Sequence, residues 1–180
     1  MRRLAIAVVL IGMVAPLSAA DLVADARRLY NQGQYEAAAK IAGEAAQSPA
    51  TAKGARVILG RVHLELYRQS ASAADLTTAR AALRDVDVRT LDSRERVEFA
   101  VGLAEALFLE DRFGASAELF ESTLESSTVL GSGARERVLD WWATALDRLA
   151  LSRPAPERTA IYDRISAQMT TELARDGGSS

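Results

Sequence analysis

Apolar residues recur three and four positions apart along most of the chain, which is the spacing of one face of an α-helix. Glycine, proline and short polar stretches interrupt this pattern repeatedly. No convincing run of β-branched residues alternates with polar ones. The pattern therefore predicts an all-helical protein whose helices cover eight segments: 22–32, 34–47, 50–69, 75–87, 93–110, 112–126, 134–151 and 156–175.

Several residues carry start and stop signals for these helices. Asp92 can accept a hydrogen bond from the first turn of the fifth helix, while Glu95 reaches back to the cap. Pro156 suits the first turn of the eighth helix, where no N–H is needed. Gly131 and Gly133 interrupt the chain before the seventh helix. Short links of this kind favour antiparallel neighbouring helices.

The N-terminal segment has the pattern of an export signal. Arg2 and Arg3 precede an uninterrupted apolar run over 4–14, and Pro16 follows before the small residues at 18–20. The apolar run is about half of the roughly 20 residues that a membrane-spanning helix needs. We therefore expect a Sec-type signal peptide over 1–20, a periplasmic or secreted mature chain without stable membrane insertion, and a disordered tail over 176–180.

The composition excludes several kinds of chemistry. The 180 residues include no cysteine and one histidine, His63, so there is no thiol nucleophile, disulfide or multi-histidine metal site. The net charge of −2 becomes −4 when both leader arginines are removed, and dispersed acidic charge does not favour nucleic acid. No phosphate-binding, dinucleotide-binding or hydrolase motif occurs. We predict no catalytic residue, cofactor or metal.

The helices show an internal repeat. The first pair contains the spacing A-x-x-L-x-x-x-G-x-Y-x-x-A, and the third pair repeats its offsets. The residues concerned are Ala26, Leu29, Gly33, Tyr35 and Ala38, followed by Ala104, Leu107, Asp111, Phe113 and Ser116. Gly60 stands 34 positions after Ala26 and 44 before Ala104, so the second unit carries about ten extra residues. Ala79 is the small residue of its second helix.

These residues resemble the tetratricopeptide repeat (TPR), whose pattern is W-x2-L-G-x2-Y, then A-x3-F, then P. Phe120 fills the aromatic position of the second helix, but Ala42 and Leu83 stand there in the other units, and the closing proline is absent. The resemblance implies an all-α fold: a right-handed superhelical array of antiparallel helix pairs over 21–175. The units would cover about 21–50, 51–90 and 93–130, with a degenerate fourth over 134–175. A helical bundle without superhelical stacking is the alternative.

The resemblance also implies a concave groove lined by the first helix of each unit. The groove positions are Val23, Arg27, Tyr30, Asn31, Val57, Arg61, Leu64, Glu65, Val101, Glu105, Phe108 and Leu109. An extended peptide or partner helix would lie there, with Arg27 and Arg61 pairing its carboxylates. Glu65 and Glu105 would cancel part of that positive charge. Alternatively, the arginines are solvated and the apolar residues fill contacts between units.

Two further features fall outside the groove. Trp141 and Trp142 are adjacent on one helix and point about 100° apart, so we expect one indole in the core and the other near the surface as a possible interface anchor. Alternatively, the eighth helix covers both. We expect His63 to be packed against a neighbouring helix, and Glu118, Glu121 and Glu125 to form a solvated acidic face rather than an ion site.

The sequence therefore favours an exported, non-enzymatic adaptor that binds a protein or peptide in the cell envelope. Two alternatives stay open. Exposed ends of a repeat array can stack on a second copy, which would give a self-assembling structural component and a homo-oligomer. A helical-bundle enzyme would need clustered acids such as Asp140 and Asp147, seven positions apart.

Overall fold

The computed structural model describes residues 19–131 and 133–177, and eight α-helices make up most of them. The helices are α1 (Ala19–Asn31), α2 (Tyr35–Ala45), α3 (Ala52–Ser70), α4 (Ala73–Arg84), α5 (Ser93–Leu109), α6 (Phe113–Thr123), α7 (Ala134–Leu151) and α8 (Ala155–Gly177). Two 3₁₀ segments, Val88–Thr90 and Ser126–Leu130, lie in the links before α5 and α7. The described residues contain no strand, which confirms the all-helical prediction.

The helices match the eight predicted segments to within about three residues at every boundary, but the first and last helices extend into the predicted leader and tail. Helix α1 begins at Ala19, inside the predicted leader, whose first 18 residues lie outside the described part of the chain. Helix α8 continues to Gly177, so it covers the start of the predicted tail, and 178–180 are again outside the described residues. Within 19–131 and 133–177, every helix is too short or too polar to cross a bilayer.

The predicted cap of α5 is present. The Asp92 carboxylate accepts from the Glu95 backbone N–H at 2.8 Å, and the Glu95 carboxylate accepts from the Asp92 N–H at 3.1 Å. Both bonds satisfy amides that have no partner inside the helix. The cap fixes where α5 begins, and α5 carries four residues of the candidate site.

Consecutive helices pack against each other, and the odd-numbered helices also contact one another in the order α1, α3, α5, α7. Small residues allow these close approaches. Ala26, Ala38, Ala79 and Ala104 are fully buried, and a Cβ at Gly60 would lie 2.7 Å from Leu83 Cγ, closer than atoms can pack. The repeated small positions are therefore points of contact between helices.

The turns of the first and third pairs have the same backbone geometry. Gly33 and Asp111, which occupy equivalent repeat positions, have φ of 72° and 58°. The following N–H donates to the carbonyl of Leu29 at 3.0 Å in the first turn and of Leu107 at 2.9 Å in the third. In the second pair α3 runs past the equivalent position and ends at Ser70, and the residue that follows, Ala71, has φ of 54°. One additional helical turn thus accounts for part of the longer second unit.

The hydrophobic core consists of three clusters along the chain. The first joins α1, α2 and α3, and the largest joins α5, α6 and α7 with the inner face of α8. Trp142 and Phe120, both fully buried, lie in the largest cluster. A smaller cluster of Leu64, Ala79, Leu83 and Ala106 lies between α3, α4 and α5.

Candidate functional site

A large concave site lies where α1, α3, α5 and α7 come together. It is a pocket of about 890 Å³ that is closed on one side by the link before α7. Its lining is Tyr30, Asn31, Tyr35, Arg61, Glu65, Arg68, Arg94, Glu98, Val101, Glu105, Leu130, Gly131, Ala134, Glu136, Arg137, Val138, Asp140 and Trp141. The volume falls in the range of known ligand sites. We call it the inner pocket.

Helices α3 and α5 approach closely at the base of the inner pocket because α5 has a glycine there. A Cβ at Gly102 would lie 2.8 Å from Arg61 Cγ, so a larger residue would push the Arg61 side chain out of place. Gly102, on α5, leaves room for the side chain of Arg61. Gly60, on α3, leaves room for the side chain of Leu83. The close approach of the Gly102 backbone to the Arg61 side chain therefore sets the position of Arg61.

Arg61 forms the centre of a polar cluster in the inner pocket. Its Nη2 donates to the Tyr30 hydroxyl at 2.9 Å, and its guanidinium lies 4.6 Å from the centre of the Tyr30 ring. Glu105 Oε1 is 3.7 Å from the same Nη2. Arg61 Nε and Glu105 Oε2 are buried without a hydrogen-bond partner among the described residues. One donor and one acceptor beside the pocket are thus unsatisfied, which is costly in a protein interior.

Burial changes the acid–base behaviour of this cluster. Glu105 is 3% exposed, and the loss of solvation raises its pKa to about 7, although the positive charge of Arg61 opposes that shift. Burial likewise raises the pKa of Tyr30 above its usual value, again against the effect of Arg61. Tyr30 therefore stays a neutral hydrogen-bonding group, whereas Glu105 changes charge near neutral pH.

A second ion-pair cluster links α1, α5 and the segment before α7. Arg27 binds Glu98 through two hydrogen bonds, from Nε at 2.6 Å and from Nη2 at 2.9 Å. Arg94 also donates to Glu98, at 3.2 Å, and to the carbonyls of Val129 and Leu130 at 3.2 and 3.3 Å. The sequence predicted that Arg27 pairs with a carboxylate of the ligand. In the structure its guanidinium pairs with Glu98 instead.

Trp141 lines the opposite wall of the inner pocket and packs on aromatic rings behind it. Trp141 stacks on Phe120 with ring centres 5.8 Å apart, and the edge of Phe108 meets it at 5.1 Å. The Arg68 guanidinium lies 4.9 Å from the Trp141 ring and donates to Glu65 at 2.8 Å. This wall presents a flat, partly exposed indole next to a paired cation, a surface suited to contact with a side chain or a peptide plane.

The structure brings together about half of the predicted groove. Tyr30, Asn31, Arg61, Glu65, Val101 and Glu105 line the inner pocket, and so does Trp141. Arg27 lies outside the lining and pairs with Glu98. The other predicted positions lie in the core or beneath the pocket wall, buried or half-buried against neighbouring helices: Val23, Val57, Leu64, Phe108, Leu109 and Trp142. Trp142 is fully buried and therefore belongs to the core and not to an exposed interface.

Several lining residues were not identified from the sequence. Glu98 lies between Val97 and Phe99 in an apolar stretch, and it is 3% exposed. A lone acid in an apolar helix segment, seven residues before Glu105, is the signal that could have located it. Arg94 and Asp140 give no comparable signal, because their place on the pocket depends on the path of the link before α7.

Most of the other residues considered from the sequence have structural partners. His63 Nδ1 lies 2.8 Å from Asp75 Oδ1, which joins α3 to α4 as expected of a packed histidine. Glu121 pairs with Arg164, and Glu125 pairs with Arg135 and Arg175. Asp147 accepts from the Tyr162 hydroxyl at 3.0 Å, whereas Asp140 faces the pocket. No group of three metal-ligating side chains occurs within the described residues.

Comparison with known proteins gives no relative: no protein-family model, no curated protein and no solved structure matches the chain.

Proposed function

We propose that the chain is an exported, non-enzymatic adaptor, built of TPR-like helix pairs, that binds a protein or peptide partner in the cell envelope through the inner pocket. The observation that carries this proposal is that alternate helices, α1, α3, α5 and α7, converge on one pocket. A repeat array presents the same face of each unit on its concave side, which is where partners bind in such arrays.

The chemistry of the inner pocket supports a peptide more than a strongly charged ligand. Its arginines are largely paired with its glutamates: Arg61 with Glu105, Arg68 with Glu65, and Arg94 with Glu98. Such a balanced field gives little attraction to a uniformly charged molecule. Hydrogen-bonding groups of both kinds, next to aromatic rings, match a polypeptide segment. A helical array of this length offers a modest interface, so we expect a transient interaction with a Kd of about 1 µM or weaker.

The export and envelope location rest on the N-terminal pattern. Arg2, Arg3 and the apolar run over 4–14 support a cleaved leader. The absence of cysteine is compatible with an oxidising compartment, since folding there needs no disulfide chemistry. N-terminal sequencing of the protein recovered from the periplasmic fraction of a bacterial host tests both points. A first residue of Asp21 is expected.

A pair of matched variants tests partner binding. Asn31→Arg with Asp140→Arg places two bulky cations in the inner pocket, and Gln47→Arg with Asp163→Arg makes the same charge change at exposed positions elsewhere. Affinity capture from an envelope extract should lose the partner with the pocket variant and retain it with the control. Equal recovery of every captured protein by both variants would remove the inner pocket from the account.

A further inference from the structure

A second concave surface lies between α4 and α5, apart from the inner pocket. It is a groove of about 450 Å³ with Leu83 and Ala106 at its base. Phe99, Leu103 and Leu107 follow one another four residues apart on α5, so they form a single apolar stripe along the groove. Leu103 is 37% exposed. We call this surface the α4–α5 groove.

The groove exists because α4 and α5 pack less extensively than the other consecutive helices up to α7. An eight-residue link that contains the 3₁₀ segment Val88–Thr90 separates them. Leu83 is held at the base by the close contact with Gly60, and the small side chain of Ala106 leaves the space above it open. The groove is therefore formed in the folded chain without any rearrangement, which lowers the cost of filling it.

The charged residues at the edge of the groove are mostly positive. Three arginines and one glutamate line it: Arg80, Arg84, Arg112 and Glu110. Arg80 Nε pairs with Glu110 Oε1 at 2.6 Å. The Arg84 side chain is 78% exposed and its Nε makes only a long ion pair, of 3.8 Å, with Asp85 Oδ1. The Arg112 side chain has no hydrogen bond or ion pair within the described part of the chain. Two guanidinium groups thus remain available to an anion beside an apolar surface.

We infer that the α4–α5 groove is a binding site for a small anionic amphiphile, a carboxylate with an apolar chain. The apolar stripe of α5 would contact the chain, and Arg84 or Arg112 would pair with the carboxylate, which suits the fork geometry of a guanidinium. The groove volume lies within the range of small-molecule sites, which are mainly apolar with a few placed polar groups. This site is separate from the inner pocket and does not rest on the function proposed for it.

Decanoate and decyltrimethylammonium, both used below their micelle-forming concentrations, are the matched probes. They share a ten-carbon chain and differ in the sign of the charge. Titration of the ¹⁵N-labelled full chain should give saturable amide shifts at Leu103, Ala106 and Leu107 with decanoate, at an affinity about tenfold or more above that of the cationic probe. Equal affinities, or decanoate shifts that do not saturate at these residues, would overturn the inference.

Two variants locate the site. Leu103→Asp and the double variant Arg84→Gln with Arg112→Gln should each weaken decanoate binding by about tenfold or more. Their controls, Leu173→Asp and Arg148→Gln, change exposed residues outside the groove and should bind within about twofold of wild type. A thermal melt confirms that each variant folds. Folded groove variants that bind like wild type would contradict the assignment, and so would binding of an acidic helical peptide without binding of decanoate.

Discussion

Arg61 and Glu105 face each other from adjacent helices, with Arg61 Nη2 3.7 Å from Glu105 Oε1, yet each keeps one buried polar atom that has no partner among the described residues. Folding exchanges hydrogen bonds with water for internal ones. A buried donor or acceptor without an internal partner therefore lowers the free energy of unfolding. A ligand in the inner pocket can supply partners to these two atoms. Trp142 Nε1, which lies in the core, is the third buried side-chain atom without a partner among the described residues.

The raised pKa of Glu105 predicts a specific dependence of stability on pH. Its pKa is about 7 in the folded chain against 4.5 for a free glutamate, so the folded state holds a proton that the unfolded state has lost. The stability from this group is complete below pH 4.5 and is lost as pH rises to about 7, by up to about 3 kcal/mol. Denaturant unfolding at pH 5 and pH 8 measures it.

Glu105→Gln is the control for this dependence. The variant cannot ionise at that position. Its unfolding free energy should therefore fall less between pH 5 and pH 8 than that of the wild type, by most of the roughly 3 kcal/mol expected from Glu105. Other carboxylates are common to both proteins and cancel in the comparison. An unchanged difference between the two pH values would show that Glu105 is already ionised at pH 5.

Substitution of a crowded glycine and of an uncrowded one should have opposite effects on stability. Gly102 lies against Arg61, whereas Gly43 has open space around it. Gly102→Ala places a Cβ 2.8 Å from Arg61 Cγ and should destabilise the chain by about 1–3 kcal/mol. Gly43 lies inside α2 with no atom within 4 Å of an added Cβ, so Gly43→Ala should stabilise it by about 0.5–1 kcal/mol. Thermal unfolding of both variants checks this, and a stabilising Gly102→Ala would contradict the close approach of α3 to α5.

The turn after α1 predicts that alanine and aspartate differ at position 33. Gly33 has φ of 72°, a conformation that costs most residues about 1–2 kcal/mol. Asp111 adopts the same region in the equivalent turn, and aspartate tolerates it better than alanine. Gly33→Ala should therefore reduce the unfolding free energy more than Gly33→Asp does. Equal losses of unfolding free energy for the two variants would contradict the equivalence of the turns at Gly33 and Asp111.

The two tryptophans should differ in their access to solvent. Trp142 is fully buried, whereas Trp141 is partly exposed in the wall of the inner pocket. Acrylamide should quench the fluorescence of Trp142→Phe, which retains Trp141, more strongly than that of Trp141→Phe. If both variants are quenched equally, the wall of the inner pocket is not formed as described.

The sequence predicts helices better than it predicts surfaces. The Asp92 and Glu95 cap, the small residues at Ala26 and Ala104 and the turn residue Gly33 act locally, so spacing alone identifies them. The eight helices follow from such local signals. The extra turn of α3 is less visible, because nothing in the sequence marks Ala71 as a residue of positive φ.

The candidate site depends on contacts between distant segments, which spacing does not encode. Arg61 and Glu105 were predicted to share a surface because equivalent rows of repeated helices face the same way. Arg27 belongs to the same row, but Glu98 lies beside it on α5, 71 positions away, and binds its guanidinium. Val57 and Leu64 were also predicted to line the groove, but close packing of α3 with its neighbours buries both side chains.

Site-specific photo-crosslinking in the native compartment tests most directly whether the inner pocket binds a partner. A photoreactive amino acid at Asn31 lies in the pocket lining, and one at Lys40 lies on an exposed position of α2 outside it. We predict a discrete covalent adduct from position 31 that is lost when Asp140→Arg is added, and no such adduct from position 40. The same adduct from both positions, or an adduct from position 31 that persists with Asp140→Arg, would contradict the proposal.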